Sequence, residues 1–206
     1  MTETSLGGFA AVVLAAGRSE RMGPRNKLLE PVSDKPLLAH ALETIASLEL
    51  GDVIVVTGHE QAAVAEVACR YGARIAHNPS YREGMGASLA CGARAVGSHA
   101  AGVFIHLADV PFVLASTYRA LARALTADQD EVNQAFVPVH AGRRGHPVLF
   151  RNVMLPHLCG LSGDEGARRM ICANTCLQVD VVDPYIDRDI DTEAELKRIA
   201  NFQISS

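Results

Sequence analysis

The chain has 206 residues, 49% of them apolar and 20% charged, with 5% aromatics and no Trp. That length corresponds to one domain of roughly 100–200 residues with a sizeable core. The high apolar fraction and a net charge of only −4, from 19 Lys+Arg against 23 Asp+Glu, exclude dominant disorder and argue against a generic nucleic-acid binder, leaving room only for a local basic patch.

The expected organisation is a single domain over residues 1–206, with its core at about 9–200. No apolar run reaches the roughly 18 residues that a transmembrane helix needs. Phe9–Ala16 is apolar, but the stretch before it carries Glu3 and no Lys or Arg, so it lacks the basic flank of a secretory leader. It reads as a buried strand, and the expected location is cytoplasmic, without membrane contact. The five cysteines (Cys69, Cys91, Cys159, Cys172 and Cys176) suit free thiols in a reducing compartment. Cys172 and Cys176 could share a helix face, but without nearby His they read as small buried hydrophobes.

Taken in chain order, Phe9–Ala15 is a strand that runs into a charged, Gly-bearing loop. Pro36–Leu48 places Leu37, Leu38, Ala41, Leu42, Ile45 and Leu48 on one helix face. Asp52–Thr57 is a strand, Gln61–Tyr71 a helix ending before Gly72, and Ala73–His77 a strand before the Asn78-Pro79 turn. Gly86–Val96 is helical, and Val103–Leu107 is a strand that leads into Asp109-Val110-Pro111. A helix over Ala115–Leu125 and a polar loop over Thr126–Asn133 follow. Gln134–Val139 and Pro147–Phe150 are strands, with helices near Asn152–Leu158 and Asp164–Ala173. Leu177–Val182 is a strand, and Thr192 opens a last helix with Glu195 at capping-box spacing. Strands alternating with helices predict a Rossmann-like, three-layer α/β domain with a mostly parallel sheet covered on both faces.

In such a sheet, ligands bind beyond the carboxyl ends of the strands. The first strand is followed by Leu14, Ala15, Ala16, Gly17, Arg18, Ser19, Arg21, Met22, Gly23 and then Lys27. Glycine-relieved backbone N–H groups with three cations can cradle a polyphosphate; by composition alone the same loop could be a solvated turn. Neither a dinucleotide fingerprint nor a P-loop is present. Asp109, at the end of a strand, is placed to hold Mg²⁺, although a turn Asp looks the same. Asp189 and Asp191 supply further carboxylates, which could bind a metal or complement a helix N-terminus. His106, inside an apolar strand, reads as a satisfied core histidine. Met22 and Met85 read as packing residues at loop edges.

The Leu14–Gly17, Arg18-Ser19, Arg21–Gly23 and Lys27 series resembles the signature of nucleotidyltransferases acting on sugars and cofactors. The later blocks resemble the molybdenum cofactor cytidylyltransferases. These are Asn78-Pro79 with Gly84-Met85 and Ser88-Leu89, Asp109-Val110-Pro111, Arg144–Val148, Gly163–Arg168 and Asp189–Thr192, spanning about Val12 to Leu196 in family order. The departures are mild. Val110 stands where Met is frequent, Glu193 where Pro is frequent, and the Pro24-Arg25-Asn26 loop is one residue longer than in the shortest members.

The resemblance implies transfer of CMP from CTP to the terminal phosphate of molybdopterin, with Mg²⁺ and release of pyrophosphate. Lys27, Arg18 and Asp109 would be catalytic. Leu14, Ala15, Ala16, Gly17, Arg18, Ser19, Arg21, Gly23, Lys27, Asn78, Gly84, Met85, Ser88 and Asp109 would bind the nucleotide, and Ala16 would favour cytosine over guanine. Asp109 and Asp191, with Asp189, would hold the metal. Arg144, Gly145, His146, Pro147 and Asp164 would face the pterin phosphate, with Arg143 beside them. His146 could equally shape the turn before Pro147, and Asp164 could cap a helix. A molybdenum hydroxylase would be the downstream partner. The rivals are a guanylyltransferase or other small-acceptor transferase of the same fold, an NAD(P)-linked oxidoreductase, and a non-catalytic cofactor-delivery protein.

Overall fold

The apolar runs become strands of one sheet in the computed structural model, which describes residues 5–17, 25–164, 170–171, 176–192 and 194–196. In chain order the elements are β1 (Phe9–Ala15), β2 (Pro31–Val32), β3 (Lys35–Pro36), α1 (Leu37–Ala46), β4 (Asp52–Thr57), α2 (Gln61–Cys69), β5 (Arg74–His77), α3 (Met85–Ala95), β6 (Gly102–Leu107), α4 (Ala115–Ala127), β7 (Ala135–His140), β8 (Arg143–Arg144), β9 (Val148–Arg151), α5 (Leu155–Cys159) and β10 (Cys176–Asp180). The main sheet runs β10-β7-β9-β6-β1-β4-β5, with β8 added on β7, while β2 and β3 form a separate ribbon. β1 pairs in parallel with β4 and β6, β4 with β5, and β7 with β10. Among the described residues no helix is long and apolar enough to cross a membrane.

The expected α/β architecture is present, and both faces of the sheet are buried, as the near-continuous apolar strands require. Ala11, Val13, Phe104 and Leu149 point into one core layer with α1, α2 and α4. Val12, Ile54, Ile105 and Val148 alternate into the other, against α3 and α5. Burying a Leu or Phe side chain contributes about 1.5–3 kcal/mol each, so these two layers hold the strand ends in a common plane.

β9 runs antiparallel to β6 and β7. Only residues 141–147 separate β7 from β9, too few for a crossover helix. Ala141 and Gly142 both take positive φ, 49° and 77°, and turn β7 into β8 as a hairpin. Pro36 does not open the helix. It pairs with Pro31 in the β2–β3 ribbon and occupies the N-cap position of α1. The Asn152–Leu158 helix is a 3-10 turn over Asn152–Met154 followed by α5. α4 extends two residues beyond Leu125, into the stretch expected to be loop. The helix expected at Asp164–Ala173 lies mostly outside the described residues. Cys69, Cys91 and Cys159 are free thiols; Cys176, expected as a buried small hydrophobe on a helix face, is half-buried at the start of β10, and Cys172 lies outside the described residues.

Candidate active site

The parallel register brings four strand ends to one edge, pairing Leu14 with Leu107, Ala15 with Thr57, and Thr57 with His77. Backbone bonds then lace the following loops together. Ala108 N donates to Leu14 O at 3.2 Å, and Ile190 N donates to Asp109 O at 2.8 Å. The second bond draws the C-terminal acidic segment across the sheet edge to the loop after β6.

Lys27 opens a 3-10 turn (Lys27–Leu29) whose first N–H groups are met by Asn26, with Oδ1 accepting from Leu28 N at 3.1 Å. Leu28 is buried and anchors the turn. Lys27 Nζ donates to Asp109 Oδ2 at 2.8 Å and to Asp191 Oδ1 at 2.6 Å, across 82 and 164 residues of chain. The three side chains are 12%, 27% and 27% exposed. Burial penalises the Lys27 ammonium, but the charges and hydrogen bonds of Asp109 and Asp191 outweigh it and raise its pKa above the ordinary lysine value. Asp191 is held from behind, because its N–H and that of Thr192 donate to Glu195 Oε2 at 3.0 and 2.9 Å, while Glu195 N donates to Thr192 Oγ1 at 3.3 Å. The capping box read from the sequence thus fixes the backbone that carries one of the two carboxylates. Asp189 is exposed and stands outside this pair; its charge, like that of Asp109, acts on His146.

Two oxygen ligands from separate segments, converging on one cation, match the needs of Mg²⁺, which takes one or two protein carboxylates and fills its remaining positions with phosphates and water. Among the described residues no group of three or more His, Cys, Asp or Glu could hold a metal ion by itself.

Of the other expected nucleotide contacts, Leu14, Ala15, Ala16 and Gly17 lie at the sheet edge, whereas Arg18, Ser19, Arg21 and Gly23, with Met22, lie outside the described residues. Asn78 and Ser88 are buried and bonded to each other, Asn78 Nδ2 donating to Ser88 Oγ at 3.0 Å. Asn78 Oδ1 accepts from Ser80 N at 3.0 Å, an Asx-type turn that starts the loop toward α3. Gly84 has φ 123°, and a Cβ there would lie 2.3 Å from Asp164 Oδ1 and 2.5 Å from Gly163 O. Gly86 N donates to Gly163 O at 2.8 Å. The Gly84–Met85 and Gly163–Asp164 motifs, expected on the base and acceptor sides, therefore touch. Met85 is 48% exposed rather than packed, and Asp164 is exposed.

On the opposite flank, Arg143 and Arg144 form β8, both exposed, with Arg143 Nε 3.2 Å from Asp187 Oδ2. Gly145 N donates to Pro138 O at 3.1 Å, and His146 N to Ile186 O at 2.6 Å. A Cβ at Gly145 would sit 2.2 Å from Ile186 O, so the close threading of these segments requires glycine there. The His146-Pro147 bond is cis. His146 Nδ1 is buried without a partner among the described residues, and burial lowers the ring's pKa against the raising effects of a backbone bond at Ile105 and the Asp109 and Asp189 charges.

His106 is a core histidine, as expected, but only half satisfied. Nδ1 is 2.9 Å from Tyr118 Oη, whereas Nε2 is buried without a partner among the described residues. Burial pushes its pKa down to about 3. Asp183 went unnoticed in the sequence. It is fully buried; Oδ2 accepts from Leu114 N at 2.8 Å and Thr117 Oγ1 at 2.7 Å, capping α4 from 66–69 residues away, while Oδ1 accepts from Tyr185 N at 3.0 Å. The available signal was that Ala115 begins a helix with no Ser, Thr, Asp or Asn at Leu114.

A family model of the MobA-like NTP transferase domain matches residues 11–178. The chain belongs to the MobA-like NTP transferase family. This MobA-like chain is 33% identical over 176 residues to the purine catabolism protein PucB of Bacillus subtilis, covering 78% of each chain. It is 29% identical over 209 residues to nicotine blue oxidoreductase of Paenarthrobacter nicotinovorans, covering 97% of this chain and all of that one. It spans only 27–33% of the length of bifunctional GlmU proteins it also matches, such as that of Dinoroseobacter shibae (33% identity over 150 residues, 72% of this chain and 33% of GlmU). Among solved structures it is similar to Mycobacterium tuberculosis Rv0371c in complex with manganese, with a TM-score of 0.78 and 25% identity, covering 94% of this chain and 98% of that one.

Proposed function

We propose that this chain transfers CMP from CTP to the terminal phosphate of molybdopterin. An oxygen of that phosphate forms a bond to the α-phosphorus, the bond from the α-phosphorus to the bridging oxygen breaks, and pyrophosphate leaves. The observation carrying this reading is the Asp109–Lys27–Asp191 bridge at the carboxyl edge of the sheet. Transfer of this kind requires positioning and charge neutralisation more than covalent catalysis, and two convergent carboxylates able to take a divalent cation, with a lysine that can turn to the phosphates, suit that requirement. The manganese complex of Rv0371c, a neighbour in fold, supports a divalent metal here.

Asp109 and Asp191 would hold Mg²⁺, with Asp189 as an outer carboxylate. When bound, the ion neutralises charge that builds up on the phosphates. Lys27, Arg18 and Arg21 would cover the β and γ phosphates, with Ser19 and Gly23 as further nucleotide contacts. The Leu14–Gly17 backbone, Asn78, Gly84, Met85 and Ser88 bound the nucleoside, and the Ala16 methyl narrows the space open to a purine. Arg144, Gly145, His146 and Pro147 would line the acceptor side from one flank and Asp164, which touches Gly84, from the other; Arg144 carries an exposed guanidinium fork suited to a phosphate. A molybdenum hydroxylase receives the product in this reading.

Pyrophosphate release measured with each of the four nucleotides, Mg²⁺ and molybdopterin tests the proposal. CTP should be strongly preferred, and dependence on GTP alone would overturn the role of Ala16. The full-length similarity to nicotine blue oxidoreductase motivates the main rival, an NAD(P)-linked reaction. Saturable micromolar NADPH binding without CTP competition would favour it. Unchanged transfer in Asp109→Ala would remove the catalytic assignment altogether.

A further inference from the structure

We infer that Lys27 is the resident counter-ion of the Asp109–Asp191 pair and keeps divalent cations out until a triphosphate draws its ammonium away. This rests on the nucleotidyltransferase reading, because the triphosphate is the anion that would take over Lys27.

Three observations carry it. Lys27 Nζ is in direct contact with one oxygen of each carboxylate, at 2.8 and 2.6 Å, so a metal reaching both oxygens must take the ammonium's place. Two cations crowded between the same two oxygens would repel each other strongly in a half-buried site. Secondly, the backbones that carry the two carboxylates are held by bonds that do not involve Lys27. The Asp109 backbone is bonded to Ile190, and the Asp191 backbone to Glu195. Removing Lys27 therefore leaves both carboxylates on segments that stay at the sheet edge. Thirdly, the 3-10 turn that carries Lys27 is capped by Asn26 and anchored by buried Leu28. Exchange thus falls to the four-carbon lysine stem, which swings without moving the backbone. Its charge must then find another anion, which a bound triphosphate would supply. Metal and nucleotide consequently enter together, and binding of metal alone is suppressed.

Mn²⁺ titrated into the full chain without nucleotide, with free Mn²⁺ followed by electron paramagnetic resonance, reads this directly. Lys27→Met should bind Mn²⁺ at least about tenfold more tightly than wild type, the size of effect that a neighbouring charge exerts on an ionic site. Lys27→Arg, which keeps a cation on the pair, should stay within a few-fold of wild type. The gain should vanish in Lys27→Met combined with Asp191→Asn. Equal Mn²⁺ affinity in wild type and Lys27→Met overturns the proposal, as does an equal gain in Lys27→Arg.

The unaltered chain gives a second measurement that needs no folded variant. Acylation of Lys27, quantified by mass spectrometry, should be slow without ligand and accelerate severalfold at saturating Mn²⁺. Unchanged reactivity with Mn²⁺ bound also overturns the exclusion. The two failures are distinguishable, because absence of CMP transfer by the wild-type chain removes the functional reading, whereas equal Mn²⁺ affinities remove only the role of Lys27 as counter-ion.

Discussion

Asp191→Asn separates the structural worth of the carboxylate from its chemical worth. Asn preserves shape and volume, so the change is mainly the loss of one negative charge 2.6 Å from Lys27 Nζ. At an effective dielectric constant of about 20, that contact corresponds to roughly 6 kcal/mol of gross Coulomb attraction. Most of it is offset by desolvation of two groups that are 12% and 27% exposed, and Asp109 still neutralises the ammonium. The net cost to stability should be about 1–2 kcal/mol, a fall in Tm of about 2–8 °C for a chain of this length. The chemical loss should be far larger. If Asp109 and Asp191 hold the metal as proposed, removing one of them should forfeit about 4 kcal/mol of transition-state stabilisation, or roughly a thousandfold in rate. The assay is pyrophosphate release from CTP with Mg²⁺ and molybdopterin, alongside thermal unfolding and Mg²⁺-dependent CTP binding as a readout that needs no acceptor. Transfer within tenfold of wild type would refute the assignment of Asp191, and a collapse of the fold would show that the bridge is chiefly structural.

Three further outcomes are expected. Asp183→Ala strips three hydrogen bonds from a fully buried site, leaving the Leu114 and Tyr185 N–H groups and the Thr117 hydroxyl without their acceptor; the cost should be about 3–5 kcal/mol in urea unfolding, and less than 1 kcal/mol would remove the distant cap of α4. Gly84→Ala drives a Cβ against Asp164 and Gly163 at a φ of 123°, so the two motifs should separate, with KM for nucleotide and acceptor rising together at a stability cost of about 1–3 kcal/mol; unchanged KM values would show that their contact is incidental. His106 binds no proton in the fold until its pKa of about 3, but titrates near 6.5 when unfolded. The unfolded state therefore takes up more protons in that window, and the His106 contribution to stability, complete above about pH 6.5, should fall by up to about 1.4 kcal/mol per pH unit as acid is added toward pH 3. Urea midpoints measured between pH 7 and pH 4 check this, and an unchanged midpoint down to pH 4.5, above most carboxylate titration, would contradict it.

The sequence by itself determined the layered α/β class, because strands buried on both faces must be apolar throughout and helices must show their stripe. Phe9–Ala15, Asp52–Thr57 and Val103–Leu107 were legible for that reason, as was the Thr192–Glu195 capping box, whose partners are three residues apart. Asp109 and Lys27 were legible as candidates through the family resemblance of their motifs. The tertiary structure decided what depends on distant neighbours. The antiparallel course of β9 follows from the Ala141-Gly142 turn closing a hairpin, and the cap of α4 comes from Asp183, far along the chain. Asp191 rather than Asp189 bridges to Lys27 because Ile190 N bonds to Asp109 O and Glu195 holds the Asp191 backbone. A pattern of residue types records which groups prefer burial or charge, but the meeting of one ammonium with two carboxylates from three distant parts of the chain depends on strand order and register, and these emerge only when the whole sheet forms between its two cores.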